Sequence, residues 1–245
     1  IAATTPYPRT MSQLVSHTYL FGGDQPWSPT DWTSSDDRVR GGASHSSLTI
    51  TPTNTAFFHG HLDITALGGA GFASQRTTDN RTWDLSGYDG LALRINGSDG
   101  QRYTLTLKDE VLPKRADGRE QSTLSWEYDF RPSAGIAGGE ERVLVKWADL
   151  KATYRGREKE DAEPLDLSRV KRISVMIRSF FGTQEGDFEL GIDSIAAFRT
   201  ERYTDATAES DTEDREEWDS DGLNEKWTGP SRRSGWRWLL GCCGL

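Results

Sequence analysis

The stretch Leu91-Ala92-Leu93-Arg94-Ile95 alternates large apolar side chains with a small one and a charged one. In an extended strand successive side chains point to opposite faces, so Leu91, Leu93 and Ile95 share one face and Arg94 lies on the other. A period of two over this length predicts a β-strand with one buried face and one polar face.

The same alternation recurs on both sides of this stretch. The other predicted strands are Ser47 to Ile50, Ala56 to Asp63, Gly71 to Arg76, Tyr103 to Lys108, Leu124 to Phe130, Arg142 to Trp147, Arg172 to Phe180 and Asp187 to Ile195. Glycine-rich turns separate them, as turn chemistry requires. About nine short strands without a long helical period predict an all-β fold, an antiparallel jelly-roll β-sandwich.

Composition fits one domain of this kind. The chain has 245 residues, of which 34% are hydrophobic and 27% are charged. A sandwich needs only alternate strand residues to be apolar, so this proportion is sufficient. No window has the roughly 18 to 20 apolar residues of a membrane-spanning helix, and we therefore expect a soluble chain. The two cysteines are at positions 242 and 243, at the end of the sequence. The strand-rich part of the chain is therefore expected to hold no disulfide and no cysteine-ligated zinc.

Charge is distributed unevenly along the chain. The formal net charge is −9, and the part from Glu201 onward carries eleven acidic and six basic residues. The remainder is therefore almost balanced and shows no basic stripe. A protein that binds nucleic acid needs such a stripe to neutralise phosphates, so we expect no nucleic-acid partner.

Four segments follow from these patterns. Residues 1–20 form a lead-in that lacks acidic residues and is compatible with the remnant of a transit peptide or with a disordered start. Residues 21–198 form the strand-rich domain. Residues 199–226 form an acidic linker with too little apolar content to order itself, and residues 227–245 form an aromatic and basic tail.

The tail carries a lipidation pattern. Cys242 is the fourth residue from the end of the sequence and Leu245 is the last, which is the geometry of a geranylgeranylation signal, and Cys243 is a second lipidation candidate. Three arginines and two tryptophans precede them and suit an anionic membrane surface. These residues predict a possible membrane contact on the cytosolic side.

Candidate catalytic and metal-binding groups are few. His59 and His61 share a strand face and could begin a metal site, and the run Ser44 to Ser46 contains a serine beside a histidine. Glu189 and Asp193 could act as paired acids. In each case a structural or solubilising role is commoner. We therefore expect no catalytic residue, no metal and no cofactor.

One polar face invites a binding hypothesis. If the apolar alternates face the core, a set of charged residues faces outward and could hold a ligand, although a solvated sheet face would look the same. These residues are Arg94, Lys108, Glu127, Asp129, Arg178 and Glu189. Trp126 and Tyr128 fall on the opposite alternation, so we expect them in the core rather than in a sugar-binding platform.

Several motifs together resemble one known family. The segments are SDDRVRGGAS at 35–44, FFHGHL at 57–62, GFAS at 71–74, WDLSGYDGLALR at 83–94 and GDFELGIDSI at 186–195. Their order and type are similar to those of the complex I intermediate-associated protein 30 family over about Phe21 to Phe198. Each motif is weak alone, and the resemblance lies in their order.

The resemblance implies a galactose-binding-like jelly roll, related to family 11 carbohydrate-binding modules. It also implies a non-catalytic, chaperone-type assembly factor in mitochondria, with complex I assembly intermediates as protein partners. The alternative, which follows from the tail, is a lipid-anchored ligand- or carbohydrate-binding module on a cytosolic membrane face.

Overall fold

A computed structural model of the protein describes residues 11–203, except 79–80, 117 and 136–138. Within these residues thirteen strands form two antiparallel sheets that pack face to face. Four short 3₁₀ turns, Pro29–Asp31, Asp37–Arg40, Trp147–Asp149 and Leu167–Arg169, complete the described elements.

One sheet has six strands. They are β1 (Met11–Gly22), β3 (His45–Ile50), β4 (Ala56–Leu62), β6 (Gly90–Ser98), β9 (Glu141–Lys146) and β13 (Gly186–Tyr203). Their order is β3-β4-β13-β6-β9, and β1 also pairs with β13. The long β13 therefore lies at the centre and links most of the sheet.

The other sheet has seven strands. They are β2 (Trp32–Ser34), β5 (Phe72–Thr77), β7 (Tyr103–Lys108), β8 (Ser125–Phe130), β10 (Lys151–Tyr154), β11 (Arg157–Glu158) and β12 (Arg172–Arg178). Their order is β11-β10-β8-β7-β12-β5-β2. The predicted jelly-roll β-sandwich is confirmed, and each of the nine predicted strands is present, although the last one continues to Tyr203.

The folded body is longer at both ends than the sequence pattern indicated. β1 begins at Met11 and pairs with β13 from Ser194 to Tyr203. The expected boundaries at 20/21 and 198/199 therefore fall inside paired strands. Backbone hydrogen bonds to β13 hold β1 in the sheet, and such bonds leave no mark on a side-chain pattern. The rest of the predicted linker, the predicted tail and both cysteines lie outside the described residues.

The core lies between the two sheets. The side chains of Leu91, Leu93 and Ile95 are fully buried, and β7 and β12 contribute equally buried side chains from the facing sheet. Phe58 and Tyr103 meet across the interface with ring centroids 6.1 Å apart. Burying one aliphatic side chain, such as that of Leu91, stabilises the fold by about 1.5–3 kcal/mol. As expected, Trp126 and Tyr128 pack against this core.

Two adjacent aspartates, one buried and one half-buried, tie the sheets together at one edge. Asp37 is fully buried and accepts hydrogen bonds from Ser44 N–H, Ser44 Oγ and Phe72 N–H at 3.1, 2.7 and 3.1 Å. Asp36 accepts from Ser46 Oγ and Ser74 N–H at 2.7 and 2.9 Å. These bonds join β3 of one sheet to β5 of the other.

Gly42 fits against this arrangement because it has no side chain. A Cβ at that position would lie 2.2 Å from Asp37 Oδ1. The segment 35–44 is therefore a bracing motif, in which the aspartates, the glycine and the serine each have a structural task.

In the part of the chain that the structure describes, no helix is long and apolar enough to cross a bilayer.

Candidate functional site

The outer face of the seven-stranded sheet carries a continuous row of polar side chains. Strand register places Lys151, Glu127, Thr106, Ser174 and Arg76 in one row across β10, β8, β7, β12 and β5. Polar side chains occupy this face because the alternate residues of the same strands fill the core.

A groove of about 520 Å³ runs over this face. Its walls include loop residues before β5, between β7 and β8 and after β12. Three acidic side chains line it, those of Glu120, Glu127 and Asp129. Six basic side chains line it as well, those of Arg40, Arg76, Lys108, Arg155, Arg172 and Arg178. The groove therefore has an excess of positive charge, although the whole chain is acidic.

Arg178 organises one end of the groove. Its Nη1 donates to Glu127 Oε2 at 2.8 Å and its Nη2 donates to Asp129 Oδ1 at 2.7 Å. Asp129 also accepts from Thr104 Oγ1 and from Arg102 Nη2. Glu127 is 8% exposed, so its charge depends on this pairing rather than on water.

A second arginine pair occupies the other end. Arg172 Nη1 donates to Glu120 Oε2 at 2.8 Å, and Arg76 Nη2 donates to Glu120 Oε1. Glu120 belongs to the loop between β7 and β8, and it reaches back over the sheet to these two guanidinium groups. A carboxylate is thus already held at this point by two arginines.

Lys108 lies beside this pair. Its Nζ donates to Thr123 O, Thr123 Oγ1 and Leu124 O at 3.0–3.2 Å, and none of these acceptors carries a charge. Burial and the neighbouring Arg172 lower the pKa of Lys108 to about 8. The amino group is therefore easier to neutralise than an exposed lysine.

An aromatic tip stands at the Arg178 end of the groove. Phe180 and Phe181 both have left-handed backbone conformations, with φ values of 44° and 61°. Phe180 lies between two guanidinium groups, with Arg102 Cζ 4.0 Å and Arg178 Cζ 4.7 Å from its ring centroid. The Phe181 side chain is 98% exposed. Bulky residues adopt this backbone conformation only when their surroundings impose it.

Hydrogen bonds hold the loop that carries this tip. Ser179 N–H and Oγ donate to Gly71 O and Gly69 O, both at 2.9 Å. The Gln184 amide donates to Arg102 O and Arg178 O at 2.8 Å, and its oxygen accepts from Arg102 N–H. The exposed phenyl ring of Phe181 therefore projects from a fixed support.

Four of the six predicted binding residues line this groove. They are Lys108, Glu127, Asp129 and Arg178. The expectation that all six share one face is wrong for Arg94 and Glu189, which lie on β6 and β13 of the other sheet. Alternation tells which side of a strand a residue faces, but it does not tell which of two sheets the strand joins.

Arg94 has a structural role in its own sheet. It pairs with Glu140 and, at 3.2 Å, with Asp193 Oδ2. The other oxygen of Asp193 accepts from Thr55 Oγ1 at 2.8 Å and Asn96 Nδ2 at 3.0 Å. The Asp193 carboxylate, one of the two candidate acids, is thus held within a network that joins β6, β13 and a neighbouring turn.

Glu189 lies in a shallow depression with His59 and His61. His61 Nδ1 and Asp187 Oδ1 are 2.7 Å apart, and the His45 ring stacks on that of His61. Across residues 11–203, with their gaps, no group of three histidine, cysteine or acidic side chains is placed to hold a metal ion. The serines beside His45 donate to Asp37 and Asp36 in the bracing motif.

Sequence reasoning missed Arg76, Arg172, Glu120 and Phe181. The two arginines begin or end predicted strands, where alternation is hardest to assign. Glu120 lies in a loop, and its partners are distant in sequence. Phe181 follows a predicted strand, and the adjoining pair Phe180-Phe181 before Gly182 was a usable signal of an unusual turn.

Comparisons with known proteins show to which family the chain is similar. The family model of Complex I intermediate-associated protein 30 (CIA30) matches residues 20–192. An uncharacterized protein of Schizosaccharomyces pombe is 44% identical over 184 residues, which cover 73% of this chain and 82% of the relative.

Two solved structures are more distantly similar to this chain. The family 11 carbohydrate-binding module of the cellulase Lic26A-Cel5E of Clostridium thermocellum has a TM-score of 0.49 at 13% identity, covering 76% of this chain and 96% of the module. A family 11 module of the same organism, in complex with a mixed-linked tetrasaccharide, has a TM-score of 0.49 at 15% identity, with 76% and 98% covered. Identities this low say nothing about a shared ligand. The family model, by contrast, spans most of the β-sandwich, and the chain belongs to the CIA30 family.

Proposed function

We propose that this protein is a non-catalytic, protein-binding assembly factor, that it acts in mitochondria and that its clients are intermediates of respiratory complex I assembly. The match to the CIA30 family over residues 20–192 carries the proposal. The name of the family links its members to such intermediates. The groove on the seven-stranded sheet is the surface through which we expect the client to bind.

The chemistry of the groove supports binding over catalysis. Its three carboxylates are all held by arginines, Glu127 and Asp129 by Arg178 and Glu120 by Arg76 and Arg172. A general acid or base must exchange its proton with a substrate, whereas these carboxylates are engaged in hydrogen bonds to arginine. Fixed charges of both signs are suited instead to orienting a partner and excluding others.

The candidate catalytic groups elsewhere support the same conclusion. Ser44 Oγ donates to Asp37, and the Asp193 carboxylate is held by Arg94, Asn96 and Thr55. Each of these side chains has a place in the framework of the sandwich. Their removal is expected to weaken the fold rather than a reaction.

Deletion of the gene in its own host, followed by native electrophoresis of respiratory complexes, tests the proposal. We expect less mature complex I and an accumulated assembly intermediate. Wild-type protein and Leu144→Ser should restore assembly, whereas Phe181→Ser should not. Leu144 is the matched control because it is an exposed apolar residue on β9 of the other sheet. Normal complex I in the deleted strain would overturn the proposed client.

A further inference from the structure

We infer that the groove binds an extended acidic segment of a partner protein, with a carboxylate at the Arg76–Arg172 end and an apolar side chain against Phe181. This inference deepens the proposed function and rests on it, because it names the chemistry of the client segment. Four observations on the described residues support it.

The first observation is charge. Six basic and three acidic side chains line the groove of a chain whose formal net charge is −9. The excess negative charge of the chain therefore lies outside the groove. The groove itself is a positive surface, which attracts an anionic segment. The complementary ligand is acidic.

The second observation is that the groove already holds a carboxylate of its own chain. Glu120 is bound by Arg76 and Arg172, and the side chain of Glu120 is 35% exposed. A planar guanidinium group binds carboxylates with favourable geometry, and two of them meet here. A carboxylate of a partner can bind these two arginines if the loop that carries Glu120 moves away. Glu120 therefore competes with the partner for the two guanidinium groups.

The third observation is Phe181. A fully exposed phenyl ring on a braced loop is an arrangement typical of an interface anchor, because little conformational entropy is lost when it is covered. Its left-handed backbone carries a conformational cost that the bonds of Ser179 and Gln184 offset, and such costs are common at binding sites. A partner with an apolar side chain at this end would cover the ring.

The fourth observation concerns unused hydrogen-bonding groups in the groove. Thr106 is 7% exposed, and its Oγ1 has no partner among the described protein atoms, nor has Nε of Arg178. Buried polar groups usually have partners, so two unpaired atoms in the lining of the groove are unusual. Both atoms are themselves covered, so a peptide carbonyl group can accept from them only after the side chains above them move.

The two ends of the groove set the spacing. Arg172 and Arg178 are six residues apart on β12, which corresponds to about 20 Å along a strand. An extended peptide covers this distance in about six residues. A peptide fits better than a nucleic acid, because Glu127 and Asp129 on the floor would repel a continuous line of phosphates but not separated carboxylates.

Fluorescence anisotropy with the full chain and labelled twelve-residue peptides tests the inference. The probe peptide carries a pair of glutamates six residues from a leucine pair. Its controls replace glutamate with glutamine, replace glutamate with lysine, or move the two pairs next to each other. We expect the probe to bind at least about tenfold more tightly than each control, and its affinity to fall as salt rises.

Two variants connect binding to the groove. Phe181→Ser should weaken the probe about tenfold, while Leu144→Ser should leave its affinity unchanged. Glu120→Gln should strengthen binding several-fold, because the competing carboxylate loses its charge. An unchanged affinity in Glu120→Gln, or equal binding of the glutamine peptide, would overturn the inference. So would a single-stranded oligonucleotide that binds more tightly than the probe.

The inference and the proposed function can fail separately. If Phe181→Ser fails to restore complex I while no acidic peptide binds, the inferred ligand chemistry is wrong and the assembly role stands. If acidic peptides bind as expected while complex I matures normally without the protein, the groove chemistry stands and the proposed client is wrong.

Discussion

Replacement of Arg178 by alanine tests whether the groove is a coupled network or a set of independent surface charges. Arg178 makes two hydrogen bonds to carboxylates, with Glu127 and Asp129, and its side chain is 24% exposed. Each charged hydrogen bond contributes about 1.5–3 kcal/mol, and water offsets part of this at Asp129, whose side chain is 23% exposed. Glu127 has little access to water and would be left without its partner. We therefore expect a loss of about 2–4 kcal/mol in the free energy of unfolding.

Urea denaturation monitored by tryptophan fluorescence measures this loss. The matched control is Arg169→Ala, because Arg169 pairs with Asp166 at 2.7 Å and its side chain is 60% exposed. That pair should contribute less than about 1 kcal/mol. Combining Arg178→Met with Glu127→Gln should recover at least half of the loss, since no unpaired charge remains. Equal effects of Arg178→Ala and Arg169→Ala would refute the network.

Three further predictions concern the framework and the groove. The pKa of Lys108 is lowered from 10.5 to about 8, so between these pH values the unfolded chain binds more protons than the folded chain. The unfolding free energy of the wild type should therefore rise with pH across this window, relative to that of Lys108→Met. Urea titrations at pH 7 and 9.5 measure this difference. Ser44→Ala leaves buried Asp37 with one donor fewer and should cost about 1–3 kcal/mol, whereas Ser28→Ala, an exposed control, should change thermal stability little. A chain of residues 11–203 should keep the melting temperature of the full chain, and one that starts at Phe21 should lose several degrees because it lacks most of β1.

The sequence predicts the fold well because strand alternation is a local property. Leu91, Leu93 and Ile95 are buried as their spacing requires, and strands are present at the other eight predicted positions. β1 was missed because its apolar residues do not follow a regular period of two, and two register shifts interrupt its pairing with β13. Its place in the sheet depends on a partner more than 170 residues away, a relation that no local pattern contains.

The candidate site is predictable only in part, for a related reason. Lys108, Glu127, Asp129 and Arg178 were identified because each alternates with buried neighbours. Arg94 obeys the same alternation but lies on β6, in the other sheet. Alternation also treats Arg178 as an ordinary surface residue, whereas its ion pairs with two carboxylates make it part of the framework. Sheet assignment and ion pairing are tertiary properties.

Site-specific photo-crosslinking at position 181 tests the central claim most directly. A photoreactive benzoylphenylalanine in place of Phe181, activated in intact mitochondria of the host, should give one principal adduct, and mass spectrometry should map it to an acidic segment of a complex I subunit or assembly intermediate. The same residue in place of Leu144 should give no such adduct. Equal adducts from both positions, or none from position 181, would contradict a protein-binding groove.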